Sequence, residues 1–194
     1  MKGKNRLIII IVAAFLLQII SIIQYFSTRN ILGEELERRA ESELMMKAII
    51  VKGMLNQTQT LLANYDWEIC KRLSDADAMF DVVETMTREN PILVGSWIGF
   101  RPGYYAQKDS LYEPYVKREG DSISTYQVAG MSHDYSKNDL YVGAVESGDF
   151  YWTNPYIDVD GSGQMVTTCS MPIYDDSGNV ICVGGSADLS LRSH

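Results

Sequence analysis

The chain predicts an α+β fold: one antiparallel sheet of about five strands and a long N-terminal helix, preceded by one membrane-spanning helix. Three observations carry this. An uncharged apolar run stands near the start, an apolar seam at alternating steps of four and three follows, and from Ile92 the pattern turns to short β-branched and aromatic runs.

The first element is Leu7 to Phe26, where only Gln18, Ser21 and Gln24 interrupt apolar residues. A helix crosses a bilayer with about 20 such residues, so residues 7–26 read as a membrane span. A cleaved signal peptide also begins with basic residues, here Lys2, Lys4 and Arg6. It would carry a shorter apolar stretch and a small-residue cleavage site, and "QYFSTRN" offers no such site. The basic residues before the span place residues 1–6 in the cytoplasm and everything after Phe26 outside. Of the 17 basic residues, three precede the span, so the exported part sets 14 against 25 acids, a net −11. That balance suits a soluble extracytoplasmic domain and argues against nucleic acid as a partner.

Residues 27–73 read as a long stalk and packing helix. Ala40, Leu44, Ala48, Val51, Leu55, Thr58, Leu62, Tyr65 and Ile69 form its seam, and acids and bases crowd Glu34 to Glu43. From Ile31 to Ile69 it would reach about 58 Å at the helical rise. The seam nearer the bilayer is expected to pair two chains in a homodimer, and the later part to pack on the core.

Residues 74–191 form the expected folded module, with 192–194 as a tail. A second helix is expected to start with Ser74 as its cap and Asp77 at the capping-box position, to bury Ala76, Met79, Phe80, Val83 and Met86, and to end at Asn90-Pro91. "ILVGSWIGF" then reads as a strand closed by Pro102-Gly103. "YEPYVKR" and "SISTYQV" flank Glu119-Gly120-Asp121 as a hairpin, and "NDLYVGAVESG" reads as a short helix ended by glycine. "QMVTTCSMPIY" and "VICVGGSADL" are the last two strands, joined by the turn Asp175 to Asn179.

Several kinds of chemistry can be weighed from residues alone. Asp158, Asp160, Ser162 and Gly163 follow the start of a calcium loop, but Val166 and Cys169 stand where the ninth and twelfth ligands belong. A glycine-rich hairpin explains the stretch better, and no metal or other cofactor is expected. The histidines are His133 and His194, and no HExxH, GxSxG, P-loop or GxGxxG pattern occurs, so catalysis is not expected of this chain. Cys70, Cys169 and Cys182 lack metal or redox spacing; Cys169 and Cys182 fall on consecutive strands, where a bridge is possible but buried thiols among apolar neighbours fit better. Twelve tyrosines against five phenylalanines supply rings with a hydroxyl, suited to a pocket for a small polar ligand.

The order of residues from Tyr151 to Leu191 strongly resembles the Cache family of PAS-like extracytoplasmic sensor domains. The likeness rests on Pro-Tyr-x-Asp at Pro155 to Asp158, a glycine turn, Pro-Ile-Tyr-Asp at Pro172 to Asp175, and Gly-x-x-Asp-Leu-Ser-Leu at Gly185 to Leu191. A membrane anchor, a long helix, a second helix and "WIGF" precede it in the same layout. The resemblance implies one PAS-like module, either a single Cache domain or the membrane-distal half of a double one. It further implies that Tyr156, Asp158 and Asp188 hold a ligand's ammonium group. Where the family places Arg-x-Trp-Tyr to grip a ligand's carboxylate, this chain has Asn138, Leu140 and Tyr141. An amine therefore fits better than an ordinary α-amino acid, unless Arg101, Lys117 or Arg118 meets an anionic end. With Trp97 of the "WIGF" strand, the expected ligand-binding set is Tyr141, Tyr156, Asp158, Asp188, Asn138 and Trp97. The function implied is the sensing input of a membrane-anchored transducer of the histidine kinase or chemoreceptor type, whose output domain would lie beyond His194. The reading from another class is a membrane-anchored protein-interaction module.

Overall fold

The computed structural model describes residues 2–130, 133–159 and 163–189. Helix α1 runs from Lys2 to Arg72. Two compact units divide the chain, residues 1–53 and residues 54–194.

The first unit is helix alone. From Ile8 to Phe26 its described side chains are exposed, so an apolar surface runs round the helix with no protein packed on it. A helix that is apolar all round suits a lipid environment, and this one is long and apolar enough to cross a membrane. Beyond it, Glu35 pairs with Arg38 and Arg39, and Glu43 with Lys47 at 2.8 Å, each pair one helical turn apart.

In the second unit, the C-terminal part of α1 buries Thr58, Leu62 and Ile69, the portion of the seam expected to pack on the core. Helix α2, Ala78–Glu89, buries Met79, Val82, Val83 and Met86 along one face and stops at Asn90-Pro91. Its start corrects the expectation at Ser74: Asp75 Oδ1 accepts the backbone N–H groups of Asp77 and Ala78 at 3.1 and 3.3 Å, and Asp77 makes no side-chain cap. A carboxylate there also meets the positive end of the helix dipole, which a serine hydroxyl cannot.

Among the described residues seven antiparallel strands follow: β1 Leu93–Phe100, β2 Pro114–Glu119, β3 Ser122–Gln127, β4 Tyr151–Trp152, β5 Tyr156–Ile157, β6 Met165–Tyr174 and β7 Val180–Leu189. They lie in the order β3-β2-β1-β7-β6-β4, and β5 also pairs with β6. The five long strands are those the sequence predicts; β4 and β5 add two residues each. Between β3 and β4 come the single-turn helix Tyr135–Lys137 and helix α3, Asp139–Ser147, which ends at Gly148.

Strand β1 is buried along all eight residues because both faces of the sheet are covered. Towards α1 and α2 point Ser96, Ile98 and Phe100, joined by Val116, Ile173 and Cys182. Ser96 Oγ donates to the Val83 carbonyl of α2 at 2.9 Å and shares a second bond with Thr87, so a polar residue in this layer is satisfied. The other face carries Trp97, Tyr115 and Val183 under Tyr135, Tyr141 and Ala144. A β-bulge between Leu93 and Gly95 in the pairing with β7 sets the two faces: Leu93 packs with Leu62 and Met86, while Val94 packs with Tyr156 and Ala187.

The possible bridge between Cys169 and Cys182 does not form. The β6–β7 register sets Ser186 opposite Cys169 and Ile173 opposite Cys182, and both cysteines are buried thiols. Burial pushes the Cys182 thiol well above its usual value, which leaves it unreactive.

Candidate ligand-binding site

The face of the sheet away from α2 carries a cavity of about 50 Å³. Its floor is β-sheet: Trp97 from β1, Thr168 from β6 and Ala187 from β7. Tyr115 of β2, Tyr156 of β5 and the short helix's Tyr135 wall it, and Asn138 with Leu140 closes it at the start of α3.

Two glycines explain the aromatic lining. Trp97 lies opposite Gly185, and a Cβ there would stand 2.2 Å from the indole nitrogen, so the ring rests flat on bare backbone. At Gly99 a Cβ would come within 2.8 Å of the Tyr135 ring. Tyr135 is fixed from its far end as well, because its hydroxyl donates to the Phe100 carbonyl and accepts the Tyr112 N–H at 3.2 Å. Beside Gly185, Gly184 faces the helices, with Ile173 and Ile69 side-chain carbons 3.6 and 3.9 Å from where its Cβ would stand.

Asp158 stands just after β5. Its backbone N–H donates to the Gln164 carbonyl at 3.0 Å and its carbonyl accepts from Gly163 at 2.7 Å, the hairpin expected in place of a calcium loop. Among the described residues no three His, Cys, Asp or Glu side chains group to hold a metal; Asp160 and Ser162 lie outside those residues. The Tyr115 hydroxyl donates to Asp158 Oδ2 at 3.2 Å. Burial first, then the Asp158 charge, pushes the Tyr115 phenol far up, so it stays a donor at any physiological pH. Tyr156 shares a 2.9 Å bond with Thr168 Oγ1, and burial raises its phenol too.

Two lining groups carry chemistry that the sequence reading did not single out. Glu113 is only 5% exposed, with its backbone N–H held by Gln127 Oε1 at 3.1 Å. His133 Nε2 lies 3.4 Å from Glu113 Oε2. Alternation carried a signal for the first of these: Glu113 and Tyr115 are two apart at the start of a strand, so an inward Tyr115 implies an inward Glu113. His133 lies in a loop, where periodicity carries no information.

Of the expected set, the cavity thus brings together Trp97, Asn138, Tyr156 and Asp158. Tyr141 sits behind the lining, its ring 5.5 Å from that of Tyr135 and its phenol raised by burial. The Asp188 backbone pairs opposite Leu93 and Thr167, and its side chain lies outside the described residues. The three cations considered for a ligand's anionic end are engaged elsewhere. Arg118 donates to the carbonyls of Leu93 and Thr87, Lys117 pairs with Glu119 at 2.7 Å, and Arg101 lies over the Tyr104 ring. Among the described residues, the lining therefore holds two carboxylates and an imidazole but no lysine or arginine. A site of aromatic faces and carboxylates favours a cation through charge-assisted hydrogen bonds and cation–π contact.

Known proteins agree with this architecture. Residues 79–193 match the family of methyl-accepting chemotaxis protein-like first PDC sensor domains. No curated protein matches the chain. Among solved structures, the extracellular domain of the putative histidine kinase soHK1S-Z6 is 20% identical, with a TM-score of 0.63 over 72% of this chain and 54% of that one. Methyl-accepting chemotaxis protein X is 17% identical, with a TM-score of 0.66 over 77% and 60%. The ligand-binding domain of the Campylobacter jejuni chemoreceptor Tlp3, in complex with 4-methylisoleucine, is 16% identical, with a TM-score of 0.56 over 72% and 52%. The chain spans between half and two thirds of the length of these structures, and at such identities they show a shared fold. The PDC and Cache-like sensor architecture is common to them, which is the resemblance seen in the sequence. The chain belongs to the family of methyl-accepting chemotaxis protein-like first PDC sensor domains.

Proposed function

We propose that the chain is the extracytoplasmic input of a membrane-anchored signal transducer, and that its ligand is a small amine held as the ammonium ion. The observation that carries the ligand class is the lining: Asp158, aimed by the Tyr115 hydroxyl, beside Tyr156 and Trp97, with Asn138 and Leu140 where an anion clamp would need a cation. The Tlp3 sensory domain has isoleucine bound in one structure. Here the counterpart of an amino acid's carboxylate would meet no lysine or arginine among the described lining residues. A cavity of this size suits a ligand of few heavy atoms.

In this reading residues 7–26 span the membrane with 1–6 inside, residues 27–73 form the stalk through which two chains pair, and residues 74–191 are the sensor module. The family's description as a first sensor domain favours the membrane-distal module of a pair. Asp188 joins Asp158 on the ammonium group in the same reading.

Thermal melting of the whole chain in detergent micelles tests the ligand class. Primary alkylamines, their α-amino acid counterparts and the matching carboxylic acids are compared. A ligand at 100 times its dissociation constant adds about 2.7 kcal/mol, which raises Tm by several degrees. Amines are expected to raise Tm, with amino acids weaker and carboxylic acids inert. A panel that leaves the curve unmoved would favour the interaction module, and a stronger response to amino acids would overturn the amine.

A further inference from the structure

Of the three tryptophans, Trp97 is 5% exposed and Trp152 is half-buried, whereas Trp67 of α1 is 66% exposed. Trp67 stands at the rim of a groove of about 330 Å³ between α1 and α2. Half-buried Tyr65 and buried Val82 form part of its lining, with Asn64 and Glu68 from α1 and Asp81 and Thr85 from α2. Lys71 Nζ lies 4.6 Å over the Trp67 ring, so the protruding indole carries a cation with it. In the groove Glu68 is taken by Arg72 at 2.5 Å, while among the described residues no cation pairs with Asp81 in the first turn of α2.

The indole belongs to a face of α1 that the module leaves bare. Thr58, Leu62 and Ile69 are buried, whereas Asn56, Thr60, Ala63 and Trp67, at alternating steps of four and three, are exposed on the opposite side of the helix. In the sequence the same steps run back through Gly53, Ile49 and Met46 and on to Cys70. Residues at that spacing form the seam between two parallel helices, and the short side chains of Thr60 and Ala63 let two backbones approach.

We propose that the groove between α1 and α2 receives Trp67 from a second copy of this chain, so that two sensor modules pair along the Asn56 to Trp67 face of α1, each Lys71 meeting the other copy's Asp81. The inference rests on the reading above that two chains pair through residues 27–73, and deepens it by giving the face and what fills the groove. That face differs from the seam expected in the sequence, because Leu62 and Ile69 of the seam are taken up by the module's own core. A parallel two-fold pairing sets each residue level with its own copy. A knob and the hole that takes it must then lie at one level of the chain, and Trp67 beside a groove lined by Asn64, Tyr65 and Glu68 meets that condition. A small molecule in the groove would leave the rest of that helix face uncovered; a second copy covers both.

The test is oxidative cross-linking of the whole chain in micelles, with light scattering for mass. Cys70 is exposed one step beyond Trp67, and the Cys169 and Cys182 thiols are buried, so the natural cysteine reports the pairing. Burial and Asp66 raise the Cys70 thiol, so a copper oxidant is used at about pH 8.5. Wild type is expected to form a dimer linked through Cys70. Trp67→Ala should cut the yield about ten-fold. Asp81→Lys should lower it, and Asp81→Lys combined with Lys71→Glu should restore it. In a Cys70→Ser background Ala63→Cys should cross-link, and Ala48→Cys, on the packing seam, should not. Trp67 and Asp81 lie on the surface, so an unchanged Tm shows that a lost dimer is not a lost fold.

Wild-type yield in Trp67→Ala or Asp81→Lys, a charge swap that restores nothing, or cross-linking of Ala48→Cys in place of Ala63→Cys overturns the inference while leaving pairing through the stalk intact. A monomeric mass with no cross-link at any position removes both. Trp67 emission, isolated as the difference from Trp67→Phe, covers the remaining occupant: a monomer in which it moves with an added amine or amino acid makes the groove a ligand site and overturns the proposal.

Discussion

Trp97 shows how a single residue position sets the cavity. Its indole needs bare backbone beneath it, and Gly185 across the ladder supplies that. Gly185→Ala places a methyl group where the ring lies, so the indole must lift into the cavity or leave it. Overpacking of this kind costs about 1–3 kcal/mol. The expected outcome is a lower Tm, a shift of tryptophan fluorescence to longer wavelength, and weaker amine binding. Unchanged emission with unchanged affinity would show that the ring does not rest on Gly185. Asp158 is the complementary case, legible from its place in a Tyr-x-Asp strand, whereas its hydroxyl donor was not. Tyr115 lies 43 residues away, and only the sheet order brings it to the carboxylate.

At the scale of elements, two phenols of the connection between β1 and β2 pin the connection between α1 and α2. Tyr105 donates to the Leu73 carbonyl at 3.0 Å and Tyr112 to that of Ala76 at 2.7 Å. Burial pushes the Tyr112 phenol up to about 12, and Tyr105 is raised as well. Because the folded values lie above the unfolded one of about 10, their contribution is whole below pH 10 and is lost as pH climbs through the folded values, about 12 for Tyr112. Stability should therefore fall above pH 10. Tyr112→Phe should soften that fall while costing about 1 kcal/mol at pH 8 through the lost hydrogen bond. Phenolate absorbance that develops fully near pH 10 with the fold intact would contradict this. The long strands were legible as β-branched and aromatic runs bounded by turn residues, α3 by its glycine stop and the end of α2 by its proline boundary. The start of α2 was not, since Ser74 and Asp75 are both good caps and geometry chose the second. Strands β4 and β5 are too short to show a period, and the bulge at Leu93 to Gly95 has no sequence mark that distinguishes it from straight strand.

For the molecule as a whole, α1 carries two kinds of surface on one helix. In residues 1–53 Leu44, Ile49 and Ile50 are more than half exposed. Past Met54, Leu62 is 3% exposed against Met86 and Leu93. Leu62→Ala removes that packing and is expected to cost about 2–5 kcal/mol, read as a lower midpoint in chemical denaturation of the sensor module. Leu44→Ala, on an exposed site of the first unit, should leave that midpoint within about 0.5 kcal/mol. Equal effects would mean that the helix does not divide its labour as the burial shows.

Gly184 and Gly185 stand side by side in β7, one facing Ile69 of α1 and the other facing Trp97 of the cavity. At that spot the wall between cavity and helix is a single layer of peptide groups, with the Trp97 ring on one surface and the Ile173 and Ile69 side chains on the other. Between the indole and those two side chains no Cβ intervenes, so a shift of the ring reaches the core packed on α1 through backbone alone.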